Sequence, residues 1–507
     1  MEEVRPILVT AVFIMSVLWW HQPCAAQENA PQAAPGTTDA AILKRLQDLE
    51  QKVQYLQQRL DEKEKTETAA TPKVEEQVRR LGQKVEALER EKKTEKDETE
   101  AKAKEAPVIS LKDGFTVKTP DDKFKVNIGG WVLYDFASIS ESRSLQQSVG
   151  KELDATGFRS ARLRVGGTVY SNIDYQLEVD FVGKESNAFN SPAFYDTYLQ
   201  VHGLPSLGGD NGRLRVGHFR EPFSMEELTS LPRLTFLERS LADVFAPSRN
   251  VGIQWSDALL GDPGHERLTY ALGVFKSANT FATGNASGYS VTGRVTGLPW
   301  YENEGEHLLH LGAAFSHRET NGAVLGWNAR PESRLTQFRY ANADSTAPLF
   351  RLRDARVETV DEAGLEAAFV HGPFSVQGEY EFANVGTTFD GIDSFSGYYA
   401  QVGYFLTGEH REYRHADGLL AKVAPKHNFG LHSGDGWGAW EVAARYSGVD
   451  LDDGGVRGGR QNNTTLGVNW FLNPNARLTL NYIHGDVKHD LYKGGLDVVQ
   501  MRFGVDF

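Results

Sequence analysis

The sequence predicts an all-β transmembrane fold: a sixteen-stranded antiparallel barrel of the outer-membrane type, preceded by a short periplasmic α-helical coiled coil. Three observations carry that prediction. From Pro107 onward, apolar and polar residues alternate with a period of two in runs of about 10–14 residues, the length of a tilted spanning strand. The connections between runs alternate between short and long, as tight periplasmic turns and longer outer loops do. The chain ends on an aromatic-rich run that closes at Phe507, the usual sorting feature of outer-membrane barrels.

Composition excludes the main competing classes. The 507 residues carry 54 Lys+Arg against 68 Asp+Glu, a net charge of −14, which argues against a nucleic-acid partner. No internal apolar run reaches the ~18–20 residues of a spanning helix, so a helical membrane bundle is excluded. The 50 glycines, 11% aromatic residues and 4 methionines suit many short strands with Gly-rich turns. Cys24 is the only cysteine, so an intrachain disulfide and any metal site needing two cysteines are ruled out.

Taken in order, the chain opens with an apolar stretch, Ile7 to Trp20, after Arg5 and before the small residues Cys24, Ala25 and Ala26. Residues 1–26 therefore read as a signal peptide cleaved after Ala26. Acylation of Cys24 is disfavoured by the His21-Gln22-Pro23 that precedes it. Residues 27–39, rich in Ala, Pro, Gln and Thr, read as a flexible linker. Residues 40–106 read as coiled coil and charged spacer. Ile42, Leu46, Leu49, Val53, Leu56 and Leu60 follow at spacings of 4, 3, 4, 3 and 4, and Val74, Val78, Leu81, Val85 and Leu88 form a second seam. Leu60 to Val78 spans 18 residues, so the heptad register breaks near Pro72. The seams suit an oligomerisation stalk, or a solvated helix without a partner, and do not choose between dimer and trimer.

Residues 107–507 read as the barrel. Tyr175, Leu177, Val179 and Phe181 alternate with Asp174, Gln176, Glu178 and Asp180, and Val499, Met501, Phe503, Val505 and Phe507 alternate with polar or small residues. Strands are expected near 123–138, 157–170, 174–185, 192–203, 213–220, 248–257, 266–276, 287–299, 307–319, 363–371, 373–386, 395–407, 437–449, 461–473, 476–487 and 496–507. An even count puts both barrel ends on the periplasmic side. Tight connections at Ser171-Asn172-Ile173, Gly372-Pro373 and Pro474-Asn475 agree with it. Residues 408–436 do not: either they form a folded periplasmic insert, or the count slips by a hairpin there. Trp131, Tyr170, Trp255, Trp300, Tyr404, Trp440, Trp470 and Tyr482 are expected in interfacial aromatic girdles.

No Gly-rich phosphate loop, Gly-x-Ser-x-Gly nucleophile or dinucleotide fingerprint occurs, so neither catalysis nor a cofactor is expected. The 14 histidines are scattered, and His410, His415, His427 and His432 read as loop residues rather than metal ligands.

Four segments carry a resemblance: Gly157-Phe158-Arg159-Ser160-Ala161-Arg162-Leu163-Arg164-Val165-Gly166-Gly167-Thr168; Gly217-His218-Phe219-Arg220-Glu221-Pro222-Phe223-Ser224 with Glu227-Leu228-Thr229-Ser230; Gly436-Trp437-Gly438-Ala439-Trp440-Glu441 with Ala444-Arg445-Tyr446-Ser447; and Leu466-Gly467-Val468-Asn469-Trp470-Phe471-Leu472-Asn473-Pro474-Asn475. Together they resemble the phosphate-selective porin O and P family over roughly residues 120–507. The resemblance implies a trimeric porin in outer-membrane lipid, open to passive diffusion of small anionic or polar solutes, with a bias toward anions such as phosphate. It also implies that the third outer loop, Glu221 to Pro247, folds inward. Where the family motif often has a second arginine, this chain has Ser160.

Strand parity and the loop together give the candidate pore-lining, anion-contacting residues Arg162, Arg164, Arg213, Arg215, Arg220, Arg233, Arg239, Arg294 and Arg445. Guanidinium forks suit oxyanions. Glu178, Asp180, Asp196, Glu366, Glu379, Glu381 and Glu441 share the inward face, so the same arginines could instead brace the wall by cross-strand pairing. Residues 107–507 hold 37 basic and 48 acidic side chains. A general or cation-preferring pore, or a barrel that tethers the membrane through its coiled coil, therefore stays open.

Overall fold

The structure, a computed structural model, describes residues 37–64, 72–111, 114–182, 192–207, 209–262, 264–276, 288–320, 326–344, 357–387, 391–432, 436–454 and 456–507. The signal peptide expected over 1–26 and most of the linker lie outside the described residues. Two compact units meet at Ala106 and Pro107.

The first unit contains helices α1 (Thr37–Glu64) and α2 (Pro72–Glu105), packed against each other. Their seam positions are the sheltered ones: Leu46 is buried, and Leu49, Val53, Leu56, Leu60, Val78, Leu81, Val85 and Leu88 are half-buried among exposed polar residues. Spacings of three and four put these side chains on one helix face. Pro72 stands at the first position of α2, where its missing N–H costs nothing, which is why the register breaks there.

The second unit opens with short strands β1 (Val108–Ser110) and β2 (Phe115–Lys118); β2 pairs with the first residues of β3 (Phe124–Glu141). The barrel is β3, β4 (Ala155–Val169), β5 (Ile173–Asp180), β6 (Ala193–Ser206), β7 (Gly209–Arg220), β8 (Arg249–Leu259), β9 (Leu268–Lys276), β10 (Tyr289–Glu302) and β11 (His307–Glu319). After a small hairpin, β12 (Gly326–Ala329) with β13 (Ala341–Asp344), it continues through β14 (Val357–His371), β15 (Phe374–Thr387) and β16 (Gly391–Phe405). A second small pair, β17 (Tyr413–Arg414) with β18 (Leu419–Leu420), precedes the last four barrel strands: β19 (Ala439–Asp453), β20 (Val456–Asn473), β21 (Ala476–His489) and β22 (Tyr492–Asp506). All sixteen expected strands are present, each antiparallel to its neighbours.

The ring closes where β22 pairs with β3, from Leu496↔Glu141 to Asp506↔Trp131. Phe507 completes the seam: its N–H donates to the Gly130 carbonyl at 2.9 Å and its own carbonyl accepts from the Gly130 N–H at 2.8 Å. Several strands run outward beyond the expected limits, β14 from Val357 and β20 from Val456. Above the lipid the outward face turns polar while the hairpin ladder continues, so apolar alternation understates strand length.

Short turns follow β4, β10, β14 and β20 at the end that holds both barrel termini, the periplasmic end of such barrels; connections just as short follow β15, β19 and β21 at the other end, so the expected alternation of short and long connections fails there. The strand count holds through 408–436. The described residues of this connection, 406–432 and 436–438, form an insert on the periplasmic side that packs into the lumen.

Outward-facing apolar side chains such as Leu272, Val295, Leu311, Phe315, Leu365, Val402 and Leu466 are exposed on the isolated chain and form the lipid-facing band. Near its periplasmic edge Trp440 stacks on Trp470 at 5.0 Å, and Trp300 stacks on His307 and Phe369. Trp131 corrects the girdle expectation. It is 8% exposed, because odd residues of β3 point inward along with Leu133, Asp135 and Ala137. Its indole donates to Ser160 Oγ at 2.9 Å, and the loop residues Leu231 and Leu234 pack on it.

A Cβ at Gly130 would stand 2.1 Å from the Arg162 carbonyl of the next strand. Gly130→Ala should therefore strain the closure seam by about 1–3 kcal/mol. The check is the temperature of the heat-induced electrophoretic mobility shift, which should fall.

Candidate functional site

The connection between β7 and β8, residues 221–248, enters the lumen. Pro222 ends the β7 ladder, and Ser224 caps the short turn α3 (Met225–Leu228) by accepting from the Glu227 N–H at 3.1 Å. The free N–H groups of that turn meet wall carboxylates. Met225 donates to Glu366 and Glu379 at 3.0 Å each, and Glu226 donates to Glu379 at 2.7 Å. Farther along, wall side chains reach the loop backbone: Arg477 donates to the Leu234 carbonyl at 2.7 Å, Asn469 to Thr235 at 2.8 Å and Arg502 to Leu237 at 2.5 Å. Phe223, Met225, Phe236, Leu237, Leu241 and Phe245 are all at most 1% exposed. The loop is thus bolted to the wall by polar contacts and by apolar ones: Leu241 and Phe245 pack with Val360, Val385 and Phe395 of the wall and Trp327 of the β12–β13 hairpin, and Met225 packs with Ala368 and Leu419.

Its charges are paired as well. Glu227 meets Arg220 at 3.2 Å and Arg239 at 3.0 Å. Glu226 meets Arg445 at 3.1 Å and Ser240 Oγ at 2.7 Å. Glu238 meets Arg159 at 2.7 Å and Arg502 at 2.6 Å. Burial raises the pKa of each of these loop acids, but the arginines prevail at Glu227 and Glu238, which are held below the usual carboxylate range. At Glu226 and Asp243 burial prevails and the pKa is raised, despite Arg445 and Arg239 respectively.

Two more segments fill the lumen. From the outer side, the β12–β13 hairpin brings Glu332, which accepts from Arg445 at 2.6 Å, Thr465 at 2.7 Å and Ser447 at 2.5 Å. From the periplasmic side, the insert brings Arg411 onto Glu441 at 2.6 Å, Tyr413 onto His310 at 2.7 Å and Lys422 onto Asp506 at 2.6 Å.

Two cavities remain on either side of the loop. The periplasmic one holds about 260 Å³ and is walled by Arg213, Arg215, Arg220, Arg294 and Arg414, with the acids Asp196 and Asp417. The outer one holds about 290 Å³, where Arg159, Arg239, Arg330, Arg334 and Arg339 face Glu238, Asp243 and Glu332. The first half of the inward loop lines one cavity and the second half lines the other.

The nine candidate arginines divide by partner. Arg213, Arg215, Arg220 and Arg294 converge on the periplasmic cavity. Arg213 donates to the Ala416 carbonyl at 2.6 Å, and Arg294 is gripped by Glu366 at 2.5 Å. Arg215 donates to Gln200 at 2.9 Å and lies over Tyr198 at 4.2 Å, with no carboxylate among its described partners. Arg239 lies on the outer cavity and donates to the carbonyls of Glu226, Glu227 and Thr229. Arg445 links Glu226 to Glu332. Arg162 is bound to Glu178 at 2.7 Å and Asp180 at 3.2 Å, stacked 3.6 Å over Tyr195. Arg164 reaches Asn127 at 3.4 Å, away from both cavities. Arg233 lines a pocket of about 20 Å³ with Lys422 and Arg477.

Sequence parity missed Arg159. A bulge makes Leu133 pair with Ser160 and Tyr134 with Phe158, so Arg159 is the extra residue and turns toward Glu238. Ser160, in place of a second arginine, donates to Asp180 at 2.5 Å. Arg330, Arg334, Arg339, Arg411 and Arg414 were also missed, because non-periodic connections carry no signal of turning inward. Among the described residues no group of three or more His, Cys, Asp or Glu is placed to hold a metal ion.

A closed barrel with a lipid-facing band, and a lumen narrowed by an inward loop, defines an integral outer-membrane channel of the porin class, which is non-catalytic and passes small solutes and ions. The chain belongs to the phosphate-selective porin O and P family, whose profile matches residues 126–507. Porin O of Pseudomonas aeruginosa is 25% identical over 402 residues, 74% of this chain and 86% of that protein. An uncharacterized protein of Caulobacter vibrioides is 29% identical over 343 residues, 64% of this chain and 62% of that one. Among solved structures, the outer membrane channel DcaP of Acinetobacter baumannii is 14% identical with a TM-score of 0.46, covering 78% of this chain and 99% of that one. An anion-selective porin from Comamonas acidovorans is 14% identical with a TM-score of 0.46, covering 76% and 100%.

Removing the Glu227 carboxylate leaves buried Arg220 without its carboxylate and leaves Arg239 with Asp243 alone, at 3.4 Å. Glu227→Ala should cost about 3–5 kcal/mol of loop anchoring and raise single-channel conductance in a planar bilayer as the loop loosens. Because the folded pKa of Glu227 is lowered, its contribution is complete above the ordinary carboxylate pKa and is lost only as pH falls through the lowered value. Glu226 and Asp243 behave oppositely: raised values make them take up protons first on mild acidification. Progressive acidification should therefore leave Arg239 and Arg445 less compensated while Glu227 is still ionised, and shift the zero-current potential toward anions.

Proposed function

We propose that this porin passes small anions in preference to cations, with phosphate as the leading candidate solute. The observation that carries the reading is the charge of the two cavities. The periplasmic one has five arginines against two acids and the outer one five against three. The barrel region as a whole has 37 basic and 48 acidic residues, so arginine is concentrated where solute must pass. Ring charges at a constriction govern selectivity more than net charge does. The family's description as phosphate-selective, and the relation to Porin O, add support.

The candidate anion contacts are Arg213, Arg215, Arg220 and Arg294 on the periplasmic side and Arg239 on the outer side, with Arg233 at the periplasmic exit. Arg162, Arg164 and Arg445 serve the wall and loop that position them. A second reading, a general porin without charge preference, is favoured by the many guanidinium groups already neutralised by carboxylates.

The organisation that goes with the proposal is an export signal over 1–26, a linker over 27–39, a coiled coil and spacer over 40–106 reaching into the periplasm, and the porin over 107–507. The apolar seams of α1 and α2 support the coiled coil, and a homotrimer joined by barrel contacts is the expected assembly.

The test is the zero-current potential of the purified protein in a planar bilayer under a KCl gradient, followed by phosphate titration. An anion preference with current block by phosphate is expected, and Arg215→Ala should move the potential toward cations. An unselective pore indifferent to phosphate would establish the second reading.

A further inference from the structure

The periplasmic insert places an acid inside the arginine cluster that the anion reading depends on. Residues 413–420 enter the barrel as the β17–β18 hairpin, and its tip is held by backbone. Arg213 donates to the Ala416 carbonyl at 2.6 Å, and Arg294 donates to the Asp417 carbonyl at 3.0 Å and the Gly418 carbonyl at 2.8 Å. Gly418, at φ +64°, lies so close to Thr296 and Thr269 that a Cβ there would stand 2.4 Å from the Thr296 hydroxyl. The hairpin therefore stays seated without the Asp417 side chain.

That side chain instead faces the cavity. Its carboxylate lies 2.7 Å from Arg414 Nε and 3.6 Å from Arg213 Nη1, and it is 39% exposed. Glu366, Glu178 and Glu441, three wall acids that pair with lumen arginines, are closed off, with side chains 0–4% exposed. Asp196, the second acid of the cavity, is committed to Arg249 at 2.7 Å.

We propose that Asp417 is a tethered counter-ion that occupies the anion's place in the periplasmic cavity: an entering oxyanion displaces its carboxylate from Arg414 and Arg213, and the carboxylate returns as the oxyanion leaves. This rests on the anion reading and adds to it the element that sets affinity. A channel must bind its ion well enough to admit it and weakly enough to release it. Five guanidinium groups in one small cavity favour retention. A tethered carboxylate at high effective concentration competes at every passage and speeds exit. An exposed pair such as Arg414–Asp417 is weak enough to open. Although burial acts to raise its pKa, Arg414, Arg213, Arg215 and Arg294 hold Asp417 below the usual range, so it remains an anion at neutral pH.

The experiment uses the full chain in planar bilayers, with inorganic phosphate as the probe and the half-blocking concentration as the readout. Asp417→Asn should lower that concentration about five- to tenfold. Asp262→Asn, on an exposed periplasmic turn, removes the same charge outside the cavity and should not. An unchanged or raised value in Asp417→Asn, or an equal fall in Asp262→Asn, overturns the proposal. Trypsin cleavage after Arg414 or Lys422 in Asp417→Asn but not in the wild type would show that the carboxylate anchors the hairpin, which also overturns it. Failure of the anion reading itself is distinct: the wild-type pore would then be unselective and indifferent to phosphate.

Discussion

Everything in this barrel follows from the absence of water beside it. In lipid a backbone N–H or C=O without a partner costs several kcal/mol, so a sheet can cross only if it has no edge. The β22–β3 seam removes the edge, and it does so down to the last residue, since Phe507 exchanges both backbone bonds with Gly130. Gly130 must be bare for the strands to close there, because the Arg162 carbonyl occupies the space a side chain would need. Closure in turn fixes parity all the way round. Once β3 and β22 are in register, every strand has one face committed to lipid and the other to the lumen.

The lumen then poses the reverse problem. Sixteen strands enclose more space than their own side chains fill, and the space is taken up by three segments of irregular backbone. Such segments cannot satisfy themselves by a ladder. Here they are satisfied by the wall: arginine and asparagine side chains donate to loop carbonyls, and glutamates accept from loop N–H groups. Arginine suits this task because one guanidinium can serve a carboxylate and a carbonyl together, as Arg445 serves Glu332 and the Glu238 carbonyl. The arginines that face the cavities are thus also the ones that hold the loops. The two roles compete for the same donors.

This division explains what could be read from the sequence. Lipid is a uniform solvent, so the outward face obeys a strict apolar rule, and the period-two signal gave the number and order of the strands. The inward face answers to particular partners and has no periodicity. The bulge that turns Arg159 toward Glu238 is one residue left unpaired between Ser160, opposite Leu133, and Phe158, opposite Tyr134, and no local pattern announces it. Trp131 looked like an interfacial aromatic because aromatics near strand ends commonly are. Only its parity with Leu133 and Asp135 marks it as inward. The hairpin at 326–344 and the insert from 406 read as ordinary connections, since the few apolar residues they bury, Trp327 and Ala341 in one and Leu419 and Val423 in the other, follow no period. For the insert, length on the side where turns should be short was the one legible anomaly.

Selectivity is decided at the same level. A net charge of −14 on the chain governs its long-range field, but a permeating ion near the loop responds to groups within a few ångströms, where the dielectric is low and screening is weak. What matters there is how much of each guanidinium is left uncommitted. Glu366 and two backbone carbonyls share Arg294, while Glu227 and the Leu228 carbonyl hold Arg220. Arg215, held by the neutral Gln200 and stacked on Tyr198, keeps its full charge facing the cavity. Beside it stand arginines whose counter-charges, Asp417 and Glu227, sit on segments that pack into the lumen without belonging to the wall. The charge that the cavity presents is thus shared between the wall and the segments packed inside it, which couples the lumen's field to the packing of its own loops.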